Sequence, residues 1–274
     1  MVRNTEITAE GWLVTSMAIY ELASFNIRFD NPADGENAWE YRKEHMLRLM
    51  AHYRWDIFGV QEARGNQLRF LSGLEDYETE GISRDHDPES EHCPIFYKAS
   101  VFDKEDGGTF WLSLTPDVPS KSWDSDCMRI CTWIRVKDKR NGNRLLFMNT
   151  HLDHISEEAR YHGALMIVEW IEQHAMNLPI ILTGDFNASA QERCYQAITD
   201  RLFDTRKAAD VLHYGPQGTF TDFRYDIPWN ELKEIDYIFA DKQVKVLRTR
   251  AVTDSFDRKF PSDHFPITAT LEFT

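Results

Sequence analysis

The sequence predicts an α/β chain of the α+β kind, built as two packed sheets flanked by helices. Three observations carry that expectation. Short apolar runs of strand length recur along the whole chain, two longer stretches show helical periodicity, and several strands follow one another as hairpins between residues 92 and 151. Consecutive hairpins do not fit a fully parallel wound sheet. A chain of 274 residues can bury a sizeable core unaided. It has no repeat, low-complexity tract or Pro/Ser-rich linker, and its composition barely shifts. One domain over 17–274 is therefore expected, behind an extension at 1–16 that precedes a second methionine, Met17.

From the start, Ala23, Phe25, Ile27 and Phe29 alternate with Asn26 and Arg28, the pattern of a half-buried strand. The turn-forming loop NPADGEN follows. Asn37 with Glu40 resembles a capping box opening a helix, with Trp39, Met46, Met50 and Tyr53 on its dry face and Arg42, Lys43, Glu44 and Arg48 on its wet side. IFGV at 57–60 reads as a buried strand ending at Gln61 and Glu62, and a short helix follows at 66–74. The runs CPIFYK, TFWLSL, RICTWIRV and RLLFMNTH read as strands, the last two joined across KRNGN, whose Asn-Gly is a strong hairpin signal. Ser156, followed by Glu157 and Glu158, opens a helix whose stripe is Tyr161, Ala164, Leu165, Val168, Ile171 and Ala175. Pro179 ends it before the strand at 180–182. Three more strands are expected near 235–240, 244–252 and 265–273, the last with Ile267, Ala269, Leu271 and Phe273 on one face.

Composition narrows the function. Hydrophobic content of 42% and aromatic content of 13% fit a folded globule. No window approaches the ~18 consecutive apolar residues of a membrane span, and the N-terminus lacks the basic patch and apolar run of a secretory signal. A cytoplasmic protein is the expectation, with Cys93, Cys127, Cys131 and Cys194 reduced and structural. The 31 Lys and Arg against 45 Asp and Glu give a formal net charge of −14, which repels polyanions at long range. A small phosphorylated substrate fits that charge better than nucleic acid does, and no protein partner is expected.

Polar residues recur where apolar runs end: Asn26 in SFNIRF, Glu62 in VQE, His151 and Asp153 in NTHLD, Asp185 and Asn187 in GDFN, Asp236 in IDYIF, Asp263 and His264 in SDHFP. Active sites of layered α/β proteins gather at strand ends. Mg²⁺ takes oxygen ligands, so one or two carboxylates and an amide suffice to hold it. Phosphate-ester hydrolysis also needs a base for water and donors for the phosphoryl oxygens, which Asp, His–Asp and Asn supply. Singly each motif is weak, since a strand-end Asp is more often a cap and a lone His more often structural. GDFN is sharper: at ~5% usage per residue a given tetrapeptide arises by chance in such a chain roughly once in several hundred.

The ordered set of six motifs resembles the endonuclease/exonuclease/phosphatase superfamily, which includes deoxyribonuclease I, abasic-site endonucleases, inositol polyphosphate 5-phosphatases, bacterial sphingomyelinases and deadenylases. The likeness spans residues 18–273, and the NIRFDNPADGENAW opening is similar to bacterial metal-dependent hydrolases of unassigned substrate. It implies a deoxyribonuclease I-like four-layer α/β/β/α sandwich and a Mg²⁺- or Mn²⁺-dependent phosphoric ester hydrolase, phosphomono- or phosphodiesterase, in which water attacks in line without a covalent intermediate. It further implies that Asn26 and Glu62 hold the metal with Asp263 nearby, that Asp185 activates water, and that Asn187 and His264 stabilise the transition state. Asp236 would orient His264, and His151 would bind phosphate or assist the leaving group.

Abasic-site endonucleases carry an acidic residue two after the first Asn, where this chain has Arg28. Arg28 is a candidate to clamp an anionic substrate, with a salt bridge to a site carboxylate as the structural alternative. Arg84 and Arg160 are further substrate-binding candidates. His154 is expected to be structural, and Trp111, Trp123, Trp133 and Trp229 to be core side chains or pocket walls. An endo- or exonuclease is the second function to weigh, and a non-catalytic binding module on the same scaffold the third.

Overall fold

Two parallel strand pairs organise the chain, and each obliges a helix to cross over between its strands. The computed structural model describes residues 18–273; the extension at 1–16 and Met17 lie outside the described residues. In chain order the elements are β1 (Ile19–Asn26), a 3₁₀ turn at Pro32–Asn37, α1 (Trp39–Tyr53), β2 (Ile57–Gln61), β3 (Ala63–Arg64), α2 (Gly65–Leu71), β4 (Tyr77–Glu80), β5 (Glu91–His92), β6 (Ile95–Lys98), β7 (Phe102–Trp111), β8 (Ile130–Asp138) and β9 (Arg144–His151). There follow α3 (Glu157–His174), β10 (Ile180–Asp185), α4 (Arg193–Thr199), β11 (Phe203–Asp204), α5 (Thr205–Ala208), β12 (Asp236–Ala240), β13 (Val244–Ala251) and β14 (Ile267–Phe273).

Six strands form one sheet in the order β13-β14-β1-β2-β6-β4, and six form a second in the order β11-β12-β10-β9-β8-β7. Near the centre of the first, β1 runs parallel to β2, joined through α1; near the centre of the second, β9 runs parallel to β10, joined through α3. Three apolar layers bind the stack. Trp39, Met46, Leu49 and Met50 of α1 pack on Ala23, Phe25 and Phe58 of the first sheet. Leu22, Ile57, Ile181, Phe147 and Leu271 fill the space between sheets. Ala164, Ile167 and Ile171 of α3 cover Leu146, Leu182 and Phe239 on the outer face of the second. Helices, sheet, sheet, helices: the fold is the expected four-layer α/β/β/α sandwich.

Stacking two sheets explains where local pattern misled. β1 is buried on both faces, because Tyr20 and Leu22 meet the other sheet while Ala23 and Phe25 meet α1. The expected capping box is absent: the N-cap of α1 is Ala38, which has no side chain to offer. Arg42 leaves the wet side and is 3% exposed, on the stripe of Trp39, Met46 and Leu49. In α3 the buried positions include Ile167, while Leu165 faces out. Ser156 caps α3 as expected, accepting from Ala159 N. The β8–β9 hairpin closes over residues 139–143, with Gly142 at φ +79. β7 begins at Phe102, earlier than the TFWLSL run, because its polar first half pairs as an edge strand with β8. All four cysteines are free. No described helix is long and apolar enough to cross a membrane.

A polar seam joins the two sheets under one rim. Gln61 Nε2 donates to Asn149 Oδ1 at 2.7 Å, Asn149 Nδ2 donates to the carbonyls of Val60 and Pro94, and Thr183 Oγ1 donates to Asn149 Oδ1 at 3.1 Å. Gly59 permits that approach, since a Cβ there would stand 2.3 Å from both Asn149 Oδ1 and Thr183 Oγ1.

Candidate active site

The four parallel strands end at this rim. β1 ends in Asn26, β2 delivers Gln61 and then Glu62, β9 ends in His151, and β10 ends in Asp185. Asp185 pairs in register with His151 on one side and with Asp236, the first residue of antiparallel β12, on the other. The loop before β14 brings Asp263 and His264 to the same place.

Asn26 Nδ2 donates to Glu62 Oε1 at 3.0 Å and to Asp185 Oδ2 at 2.9 Å, so one amide bridges two carboxylates from different sheets. Its Oδ1 accepts from Arg28 N. Phe29 N donates to Glu62 Oε2. His264 Nδ1 bonds Asp236 Oδ2 at 2.8 Å, and its Nε2 stands 3.8 Å from Asp185 Oδ2. Asn187 N donates to Asp185 Oδ1, while Asn187 Nδ2 donates to His151 Nε2 at 2.9 Å and to Leu152 O at 3.0 Å. Glu62 at φ 63, Asn187 at φ 48 and Arg28 at φ 55 all hold left-handed backbone, which non-glycine residues adopt at a cost and which clusters at functional sites.

Burial sets the charge states. It lifts the Asp185 carboxyl, helped by the neighbouring Asp236 anion, to about 7. Burial alone would depress His264, but the contact with Asp236, reinforced by Asp185, overrides it and pushes the imidazole up to about 10. His151 goes the other way, held well below the usual histidine range by burial and then by the Arg129 and Arg84 cations. One imidazole is thus kept charged and the other neutral within the same rim. Asp263 is raised by burial.

These groups line a cleft of about 570 Å³ whose walls include Arg28, Glu62, Arg84, Arg129, His151, Asp185, Asn187, Asp263 and His264. A larger surface hollow of about 880 Å³ lies at the far end of β10, around Asn177, Leu178 and Asp241, and carries no comparable cluster. Of the sequence-predicted site residues, Asn26, Glu62, His151, Asp185, Asn187, Asp236, Asp263 and His264 come together here. Arg84 lines the cleft in a bidentate pair with Glu91 at 2.9 and 3.0 Å. Arg28 lines it too, but β1 has ended at Asn26, so Arg28 does not share a sheet face with it; its guanidinium grips Asp34 at 2.8 and 3.0 Å and stands 3.9 Å from Asp263. Arg160 lies outside the cleft lining, bound to Glu192 and Asp153 O. None of the four tryptophans lines the cleft: Trp111 donates to Arg84 O behind the wall, Trp123 stacks on His162, Trp133 packs on Trp170 and Trp229 is exposed. His154, expected to be structural, does line it.

Two arginines escaped sequence reasoning. Arg129, beside β8, is 6% exposed, lines the cleft and lies 3.4 Å from Asp153. Arg42 donates to the carbonyls of Ile27, Arg28, Asn37 and Pro261, tying the loops that carry Arg28 and Asp263 to α1. The signal for Arg42 was its place on the apolar stripe of its helix. Arg129 gave none.

Acidic and imidazole groups that could hold a divalent ion are gathered twice around Asp185, once with Glu62 and His151 and once with Asp236 and His264. Among the described residues no Lys or Arg stands within 4.0 Å of Glu62 or Asp185, and Asp236 Oδ1 is buried without a partner. Oxygen-rich and anionic, with no Lys or Arg against Glu62 or Asp185, the rim fits a hard dication.

Comparison with known proteins agrees with the geometry. An endonuclease/exonuclease/phosphatase from Bacteroides vulgatus is 37% identical, over 94% of this chain and 100% of that one, with a TM-score of 0.89. A mannosyl-6-phosphatase from Bacteroides thetaiotaomicron is 36% identical, over 93% of this chain and 100% of that one, with a TM-score of 0.87. The 3'-5'-exoribonuclease subunit Ccr4 of the CCR4-Not complex from Mycosarcoma maydis is 23% identical over 90% of this chain, which spans only 48% of its length. The other curated relatives are likewise matched over 47% and 63% of theirs. The model of the Endonuclease/Exonuclease/phosphatase family matches residues 23–264, nearly the whole sandwich, and the chain belongs to that family.

Proposed function

We propose that the chain is a single-domain, cytoplasmic hydrolase of a small phosphate ester, dependent on Mg²⁺ or Mn²⁺, in which water attacks phosphorus in line. The observation that carries this reading is the meeting of Glu62, Asp185 and His264 at one rim, with Asn26 Nδ2 spanning both carboxylates and His264 Nε2 3.8 Å from Asp185.

Glu62 and Asn26 would hold the cation, with Asp263 beside them. When bound, such an ion polarises a phosphoryl oxygen and acidifies water. Asp185, lifted to about 7, is suited to take a proton from the attacking water near neutral pH. His264, kept charged by Asp236, donates from Nε2 to a phosphoryl oxygen and offsets the charge that builds there. Asn187 reaches the phosphoryl group by giving up its bond to His151 Nε2, and that exchange frees a neutral imidazole beside the leaving group. The mannosyl-6-phosphatase neighbour makes phosphorylated sugars the first substrates to try.

The test is turnover of p-nitrophenyl phosphate and a phosphate-ester panel with Mg²⁺, Mn²⁺ or EDTA. Activity should need the metal and should nearly vanish in Glu62→Ala and His264→Ala, both folded by circular dichroism. Near-wild-type rates in both variants overturn the assignment. A nuclease is the second reading, favoured by the exoribonuclease relative. Nicking of plasmid or degradation of oligonucleotide, without turnover of small esters, would put it first.

A further inference from the structure

We infer that Arg84, Glu91 and Arg129 form a subsite that reads the hydroxyls of a sugar or other polyol attached to the phosphate, an inference that rests on the hydrolase reading above. Strand order gives the placement. β12, β10, β9 and β8 are neighbours, so Asp236, Asp185, His151 and Arg129 follow one another along the rim. Two strand spacings, roughly 10 Å, separate the Asp185 rung from the Arg129 rung. A phosphate beside Asp185 and His264 therefore directs its leaving group past His151 and onto Arg129 and Arg84. Those two arginines and Glu91 line the 570 Å³ cleft together with His151, beside the reacting end.

The chemistry of this wall selects hydroxyls over a second phosphate. Each arginine already faces a carboxylate: Arg84 holds Glu91 through both terminal nitrogens, and Arg129 Nε lies 3.4 Å from Asp153. Their charge is therefore balanced before any ligand arrives, whereas a second phosphate calls for unpaired cations. Donors and an acceptor remain. Arg129 Nη2 meets His154 Nδ1 at 2.9 Å, and its Nη1 makes no hydrogen bond among the described residues. Glu91 presents carboxylate oxygens beside it, 13% exposed. A vicinal diol donates one proton and accepts another, so an arginine–carboxylate pair matches it group for group. The wall is also rigid: Trp111 Nε1 donates to Arg84 O at 2.7 Å, and Arg84 N donates to Glu91 O at 2.9 Å.

The experiment measures kcat/KM for hexose 6-phosphates and for p-nitrophenyl phosphate, with Mg²⁺, in the wild type and in Arg84→Lys, Glu91→Gln and Arg129→Lys. The ratio of hexose 6-phosphate to p-nitrophenyl phosphate should fall at least tenfold in each, chiefly through KM, because a hydroxyl-reading group has been removed. Circular dichroism checks each fold, and Glu91→Gln, the mildest change, keeps the test open if an arginine variant fails to fold. An unchanged ratio in the folded variants overturns the subsite, as does a wild-type preference for hexose bisphosphates. If p-nitrophenyl phosphate is turned over in a Glu62-dependent way while the ratio stays fixed, only the subsite falls. If the wild type hydrolyses neither ester with any cation, the hydrolase reading falls first.

Discussion

Asn26 and Asp185 are joined across the two sheets by a 2.9 Å hydrogen bond from amide to carboxylate. The same amide nitrogen holds Glu62 at 3.0 Å, so a single neutral side chain sets the spacing of two anions that no Lys or Arg separates. Asn26→Ala removes that spacer. Turnover should fall by at least about 10–100-fold, the loss expected for an outer partner alone, with a matching loss in divalent-cation affinity, because Asn26 also holds the ion. Steady-state kinetics over a Mg²⁺ titration would show it; an unchanged cation dependence would mean the bridge is idle.

Gathering the buried Asp185, Asp236 and Asp263 beside Glu62 in one rim opposes folding when no metal ion is bound, because His264 and Arg28 offset only part of that charge. Added Mg²⁺ should therefore raise the melting temperature, with about 2.7 kcal/mol expected at a hundredfold excess over Kd. Glu62→Gln should melt higher than the wild type in EDTA, gain little from Mg²⁺ and lose turnover. A Glu62→Gln protein that still responds fully to Mg²⁺ would move the ion elsewhere.

His264 and Asp185 make stability fall as pH rises. The His264 imidazole sits at about 10, above its usual 6.5, so its contribution is complete below pH 6.5 and is lost as pH climbs towards 10. Asp185 is raised from 3.8 to about 7, so ionising it in the folded state costs stability over that lower window. Urea midpoints measured in EDTA should decline from pH 6 to pH 9.5. Asp236→Asn removes the anion that faces both groups, and the decline should flatten. An equally steep decline in that variant would separate Asp236 from His264.

How much of this was legible depended on whether a side chain's partners are local. Asp185 and Asn187 announce themselves in GDFN because chemistry at a strand end needs both within three residues. The order of helices and hairpin strands points to two sheets flanked by helices, but the burial of β1 on both faces does not show in its pattern, because Leu22 and Phe25 point opposite ways and imitate a half-wet strand. Arg42 reads as part of the wet side with Lys43, Glu44 and Arg48, yet its partners are carbonyls as distant as Pro261. Arg129 stands at the foot of a strand, where arginine is ordinary, and its partner Asp153 arrives from the next strand's loop. The alternation that places Arg28 on the strand continues past its real end, since β1 stops two residues sooner and Arg28 sits at a left-handed turn.

Asp153 is the opposite electrostatic case from Asp185. Burial would raise it, but backbone N–H groups of Ser156 and Ile155 and the Arg129 cation hold it down to about 2. A depressed carboxyl contributes stability that is present above its usual 3.8 and disappears as pH falls through 2. Asp153→Asn should destabilise the protein at pH 7 by about 1–2 kcal/mol after solvent screening is allowed for. That difference from the wild type should shrink towards pH 2. An equal deficit at both pH values would mean the carboxylate's charge is not what matters.

Gly59 tests the seam beneath the rim. Its missing Cβ leaves room for Asn149 Oδ1, which accepts from Gln61 and Thr183, and a methyl would stand 2.3 Å from that oxygen and from Thr183 Oγ1. Backbone on both sides is fixed in register, Gly59 with Ile95 and Thr183 with Ile238, so the strands cannot simply slide apart. Gly59→Ala should therefore cost about 1–3 kcal/mol or more by overpacking, and should also strip acceptors from the buried Gln61 amide. Because Gln61 precedes Glu62, turnover should drop by more than stability alone explains, even at temperatures where the variant is fully folded. A folded Gly59→Ala protein with the wild-type urea midpoint and kcat would show that the two sheets do not depend on that close approach.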